Sequence, residues 1–137
     1  MLTDTNILVY AINKNSPKHI RAKEFLEDNI NNLTVAHQNI IEAVKVLTQP
    51  KFIRPMKSKD AIEAILAIAE NCQIIFPKSG TEFITLELIK KLNLVGNRIF
   101  DAYLAATALI NGIDTIATDN VKDFSKITQI KVTNPFS

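Results

Sequence analysis

The sequence predicts an α/β fold of three layers, α/β/α, around a mostly parallel central sheet. Three observations carry this. Short apolar runs suited to buried strands (33–36, 73–76 and 115–118) alternate with longer segments of helical periodicity. The intervals between the runs are long enough for crossovers, as parallel pairing requires. Residues 99–110 are apolar nearly all the way round, which places a helix in the interior of a domain.

Taken in order, residues 1–3 leave room only for a very short first strand. It runs into Asp4-Thr5-Asn6, three good helix N-caps. Ile7, Leu8, Val9, Tyr10 and Ile12 then form a buried strand-to-helix passage. Ser16-Pro17 is a cap followed by proline at the first helical position, and Ile20, Ala22, Phe25, Leu26 and Ile30 stripe an amphipathic helix to about residue 31. After the strand at 33–36, Ile40, Ala43, Val44 and Leu47 recur at i, i+3, i+4 and i+7. They mark a helix that His37 is placed to cap, that carries Glu42, and that stops near Pro50. Ser58 opens a helix over 61–71 with Ile62, Ile65, Leu66 and Ala69 inward. The strand 73–76 is closed by Pro77, and a helix over 81–94 leads to the turn Gly96-Asn97. The apolar helix follows and ends at Asn111-Gly112, a C-cap signal. A strand at 115–118, a short helix over 120–124 and a strand at 131–133 complete the chain. With no repeat, low-complexity segment or linker, residues 1–137 read as one domain.

Composition narrows the function. A hydrophobic content of 47% with three Gly and five Pro excludes a disordered or collagen-like chain. The net charge of +2 does not announce nucleic acid, but Lys45, Lys51, Arg54, Lys57 and Lys59 stand together without an acid among them. Cys72 is the only cysteine, so an intrachain disulfide is impossible and a reduced compartment fits. No run nears the roughly 18 apolar residues of a membrane span, and no signal peptide precedes Asp4, so a cytoplasmic location is expected. Three glycines cannot write a phosphate loop or a dinucleotide fingerprint. His19 and His37 are too few and too far apart for zinc, and Cys72 reads as structural.

What is left is acid. Asp101 lies in the first turn of the apolar helix, where a lone buried carboxylate is costly. Asp4 follows the first strand, Asp119 ends the fourth, and Glu42 stands early in the helix after the second. All four belong at the carboxyl edge of a parallel sheet, where such folds bind ligands, provided the first and fourth strands are neighbours. Each has a plainer reading: Asp4 and Asp119 as caps, Glu42 paired with Lys45, Asp101 on the helix dipole; a fifth acid, Asp123, four residues after Asp119, reads as merely solvated. As a set they repel, and a cation is the usual remedy; an all-oxygen donor set suits Mg²⁺ or Mn²⁺. The expectation is that the carboxylates of Asp4, Asp101 and Asp119 face one another across a cleft.

Four segments, DTNIL from Asp4, QNIIEAVKVL around Glu42, FDAYLAATAL around Asp101 and ATDNVKDF around Asp119, come in an order that resembles PIN-domain ribonucleases, in particular VapC-type toxins. The resemblance spans essentially the whole chain. It implies metal-binding acids at Asp4, Glu42, Asp101 and Asp119, with Glu42 acting through water, and Asn6, Thr118 and Asp123 lining the pocket. It implies Mg²⁺- or Mn²⁺-dependent hydrolysis of RNA to 5′-phosphate and 3′-hydroxyl ends, with Lys45, Lys51, Arg54, Lys57 and Lys59 meeting the RNA backbone. It also implies a homodimer and an antitoxin covering the cleft, with Phe52 and Ile53 the best candidates for apolar contact. His19 falls where many such proteins have a histidine. One departure is that only three residues precede Asp4: either the first strand is unusually short or the true start lies upstream. The alternative to an enzyme is a non-catalytic RNA- or protein-binding module of the same fold.

Overall fold

Alternation within very short strands divides the interior into two cores. The strands are β1 (Leu2–Thr3), β2 (Thr34–Ala36), β3 (Gln73–Ile75), β4 (Thr115–Ala117) and β5 (Lys131–Thr133). In the computed structural model, which describes residues 1–137, all pair in parallel in the order β3-β2-β1-β4-β5. Leu2, Ala36, Ile75 and Ile116 face one side, and Val35 and Ala117 the other, as the two-residue period of a strand requires.

Helices α1 (Thr5–Ile12), α2 (His19–Asp28), α3 (His37–Thr48) and α4 (Ser58–Ala69) cover the second side. Helices α5 (Thr81–Leu92), α6 (Arg98–Ile110) and α7 (Val121–Phe124) cover the first, where α6 sets Ala102, Leu104, Ala105 and Ala108 against Leu88, Ile116 and Phe124. The expected three-layer architecture is therefore present, and its sheet is entirely parallel. The chain steps outward from β1 through β2 to β3, then returns to build β4 and β5 on the opposite flank. That reversal opens a crevice at the carboxyl ends of β1 and β4, the usual ligand position in such sheets. The registers Leu2↔Ile116 and Thr3↔Ala117 make these strands immediate neighbours.

Several local expectations need correction. Residues 7–12 hold no strand-to-helix passage: after β1, α1 begins at Thr5, directly on the Asp4 cap, and Ile7 to Ile12 are all helical. Ser16-Pro17 forms a turn, with the Ser16 hydroxyl accepting from the Lys18 amide, and α2 starts only at His19. His37 does not cap α3; the Asn39 side chain reaches back to accept from the Ala36 amide at 2.9 Å. In α4 the buried stripe is Ala61, Ile65 and Ala69, while Ile62 and Leu66 are exposed. Small alanines allow closer approach to α3 than Ile and Leu would. Phe52 packs onto the core and only Ile53, 72% exposed, remains available for contact. Phe100, expected inside with the rest of the apolar α6, is instead 56% exposed. The end of α6 follows expectation: Gly112 (φ 75°) takes the left-handed position, its amide bonds to Leu109 and that of Ile113 to Ala108, a Schellman closure.

Candidate functional site

Asp4 sits where β1 turns into α1 and is only 6% exposed. Its Oδ1 accepts from the Thr5 amide at 2.8 Å, the cap, so the plainer reading of this residue also holds. Its Oδ2 accepts from the Thr118 hydroxyl at 2.7 Å and from Asn6 Nδ2 at 3.3 Å. The Thr118 bond crosses from the end of β4 to the end of β1 and locks the two strand termini together. Burial nevertheless prevails over these donors and raises the Asp4 pKa, with the Glu42 and Asp123 charges adding to the effect.

Glu42 makes no pair with Lys45. Its Oε2 accepts from the Thr5 hydroxyl at 3.0 Å, and its Oε1 from Gln38 Nε2 at 2.9 Å. Gln38 also donates to the Phe100 carbonyl at 3.0 Å, tying the start of α3 to the first turn of α6. Asn39 donates to the Thr5 hydroxyl at 3.2 Å, so that hydroxyl is relayed toward Glu42. The side-chain oxygen of Gln38, Oε1, is buried without a partner.

Asp101 is partly buried in the first turn of α6, and no donor relieves it. Its pKa is raised to about 7, first by burial and then by the charges of Asp123, Asp4 and Glu42, with Arg98 opposing. Asp123 itself is held by Arg98 at 3.0 Å. Asp4, Glu42, Asp101 and Asp123 thus form one electrostatic group.

Asp119 is not part of it. Its carboxylate turns to the Lys18 ammonium and accepts from the Tyr10 hydroxyl at 3.1 Å. The Lys18 hydrogen bond is the main reason its pKa is lowered. The expectation that Asp4, Asp101 and Asp119 face one another therefore fails for Asp119, and Asp123 supplies the third charge felt by Asp101. Asp119 still meets the group through its backbone, whose amide donates to Asn6 Oδ1 at 3.3 Å. Lys18, Arg98 and Tyr10 carried no mark of these roles in the sequence, because their partners lie far away along the chain, and Gln38 reaches Glu42 one helical turn on but also the distant Phe100. His19 binds the Tyr10 carbonyl through Nδ1 at 2.9 Å. Cys72 packs at the end of α4, where burial pushes its thiol up. Lys45, Lys51, Arg54, Lys57 and Lys59 are all exposed, and of these only Lys45 lines the cleft.

That cleft, of about 740 Å³, runs between α3 and α6. His37, Ile41 and Lys45 line one wall, Phe100, Tyr103 and Thr107 the other, with Glu42 and Asp101 between them. No three Asp, Glu, His or Cys side chains stand as a closed metal cage. The donor set nonetheless fits Mg²⁺ or Mn²⁺, hard ions of which Mg²⁺ in particular is bound through one or two carboxylates while keeping several waters. Asp101, partly buried and without a donor, and Asp4 are the two that fit.

The family model described as PIN domain matches residues 1–129. The chain is 28% identical over 138 residues to Ribonuclease VapC24 of Mycobacterium tuberculosis (strain ATCC 25618 / H37Rv), covering 98% of this chain and 95% of that one. Among solved structures it is similar to VapBC2 from Rickettsia felis bound to a DNA fragment from their promoter (TM-score 0.72, 25% identity, 97% and 96% of the two chains). It is likewise similar to VapBC-1 from nontypeable Haemophilus influenzae (TM-score 0.70, 25% identity, 99% and 98%). With a matching model over nearly its full length, a fully parallel sheet and acids gathered at the β1–β4 crevice, the chain belongs to the PIN domain family.

Proposed function

We propose that the protein is a metal-dependent endoribonuclease and the toxin of a toxin–antitoxin pair. The observation that carries this is Asp101: a partly buried carboxylate with a pKa near 7, without a donor, beside the buried Asp4. A structural acid would have acquired a partner, as Asp119 and Asp123 have. A relative with the printed name of ribonuclease, and likeness to VapBC structures, support the same reading.

In this reading Asp4 and Asp101 would hold the divalent ion, and Glu42, braced by Thr5 and Gln38, would position a water in the cleft. The ion, when bound, lowers the pKa of a coordinated water and offsets charge on the phosphate. Thr118 and Asn6 fix the Asp4 carboxylate, so little reorganisation is left for the reaction. Asp119 acts as a positioning residue, its amide steadying Asn6. Lys45 and the exposed Lys51, Arg54, Lys57 and Lys59 meet the RNA backbone. An antitoxin covers the cleft, and a second copy of the chain completes a homodimer, with Ile53 available as apolar contact.

Purified protein should cleave single-stranded RNA in Mg²⁺ or Mn²⁺, and Asp4→Asn or Asp101→Asn should reduce the rate at least about a hundredfold, as loss of a transition-state charge stabiliser does. If both variants cut as fast as the parent, the assignment fails. A parent that leaves RNA intact yet binds it would instead favour the non-catalytic module.

A further inference from the structure

Phe100 is the one large apolar side chain of α6 that the core rejects: it is 56% exposed, immediately before Asp101. The ring lines the same cleft as Glu42 and Asp101. Tyr103, one helical turn on at i+3, lines it too, so two aromatic side chains occupy one wall. The cleft volume, about 740 Å³, lies within the range of roughly 300–1,000 Å³ typical of small-ligand pockets, which suits a nucleotide.

Charge alone does not explain how a polyanion would stay there. The cleft holds carboxylates, and the cations around it are engaged: Arg98 with Asp123, Lys18 with Asp119. Lys45 is the only Lys or Arg that lines it. The protein's own side chains therefore offer phosphate little close to Asp101, and the affinity they supply there must come from another part of the nucleotide. A nucleobase offers an apolar, polarisable face that stacks on an aromatic ring, and it does so only when unpaired and unstacked from its neighbours.

We infer that Phe100, supported by Tyr103, is the stacking surface for an unpaired nucleobase next to the scissile phosphate, so that it positions the RNA and selects single-stranded over duplex substrate. This rests on the ribonuclease reading for its location beside the reaction, but not for the binding itself. Gln38 sets the platform: its hydrogen bond to the Phe100 carbonyl fixes the first turn of α6 against α3, and its second bond fixes Glu42. Stack and acid are thereby held in a constant relation.

The test is binding of a short unstructured RNA carrying 2-aminopurine, whose fluorescence changes on stacking, to the full-length D101N protein in Mn²⁺, where cleavage does not interfere. D101N with F100Y should bind as D101N does, with the same fluorescence change. D101N with F100A or F100L should bind about tenfold more weakly and lose that change, while melting as D101N does, since the ring is exposed. F100L separates stacking from mere apolar contact. In the parent, F100A should raise KM about tenfold and change kcat less. The inference is overturned if F100A leaves affinity and fluorescence unaltered, as a ring reserved for a protein partner would. It is overturned equally if a duplex, or an abasic strand, binds as tightly as the unpaired RNA. A parent that never cuts RNA, with stacking intact in D101N, would sink the nuclease reading and leave the subsite standing.

Discussion

The Asp119 carboxylate is held by the Lys18 ammonium, from the turn before α2, and by the Tyr10 hydroxyl. The pair lowers the Asp119 pKa and raises that of Lys18. An acid with a depressed folded pKa stabilises above its ordinary value of 3.8 and loses this as pH falls through the folded value. A base with a raised pKa stabilises below its ordinary 10.5 and loses this as pH rises beyond it. The Lys18 and Asp119 side chains are 39% and 19% exposed, so solvent still screens the pair and K18M should lower stability by about 1 kcal/mol or less. That difference should stay flat between those two pH limits and shrink outside them, as urea unfolding across pH will measure. A larger loss would mean that Lys18 does more than neutralise Asp119.

The Thr118–Asp4 bond predicts a larger effect, because both groups are buried. Thr118 serves three neighbours: it donates to Asp4 and accepts from the Asn120 amide at 2.9 Å and from Asn6 at 3.3 Å. T118V keeps the shape and removes the hydroxyl, which should destabilise by about 1–3 kcal/mol. T118S should recover most of that. Denaturant midpoints decide, and a T118V protein as stable as the parent would show that the hydroxyl bonds contribute nothing net.

Much of this arrangement was legible in the sequence. Alternating periodicities gave a parallel sheet, and acids at strand ends and helix starts then had to share its edge, as Asp4, Glu42 and Asp101 do. What escaped is rotational. Whether Asp119 or Asp123 faces Asp101 depends on the pitch of the four-residue helix α7 and on Lys18 and Arg98, whose partners lie 101 and 25 positions away. In α4 apolar residues occupy nearly every position, so periodicity could not separate the Ala61–Ile65–Ala69 stripe from Ile62 and Leu66. Phe100 is hidden by the same ambiguity: an apolar residue in an apolar helix carries no sign that it faces a cleft.

Asp101 makes the fold pH-sensitive in the sense opposite to Asp119. Its folded pKa is about 7 against an ordinary 3.8, so the unfolded chain releases this proton first. Stability therefore falls as pH rises from 3.8 to about 7, and the full penalty is present above that. Allowing for the side chain's partial exposure, the penalty should be about 1–2 kcal/mol. In EDTA, D101N should exceed the parent by that margin at about pH 8.5 and match it near pH 4. Saturating Mn²⁺ should stabilise the parent, by about 2.7 kcal/mol at a hundred times Kd, and D101N much less. Urea unfolding in the two media checks both halves, and a D101N protein no more stable than the parent at alkaline pH would remove the strained carboxylate from the account.

The basic stretch from the end of α3 into the first turn of α4 predicts a salt effect. Lys51, Arg54, Lys57 and Lys59 are exposed and unpaired, and Arg54 has a left-handed φ of 57°. Glycine at 54 would relieve that conformation, so K51A/R54G/K57A/K59A removes charge without adding backbone strain. If all four meet phosphates of a single strand, each contributes about −0.7 to the slope of log K against log salt, and the variant loses about 3 in that slope. The D101N background allows affinity to be measured between low and moderate salt without cleavage. Because phosphate contacts position without reading sequence, the loss should be uniform across RNA sequences. An unchanged slope would move the RNA path off this loop and onto the wall that carries Phe100 and Tyr103.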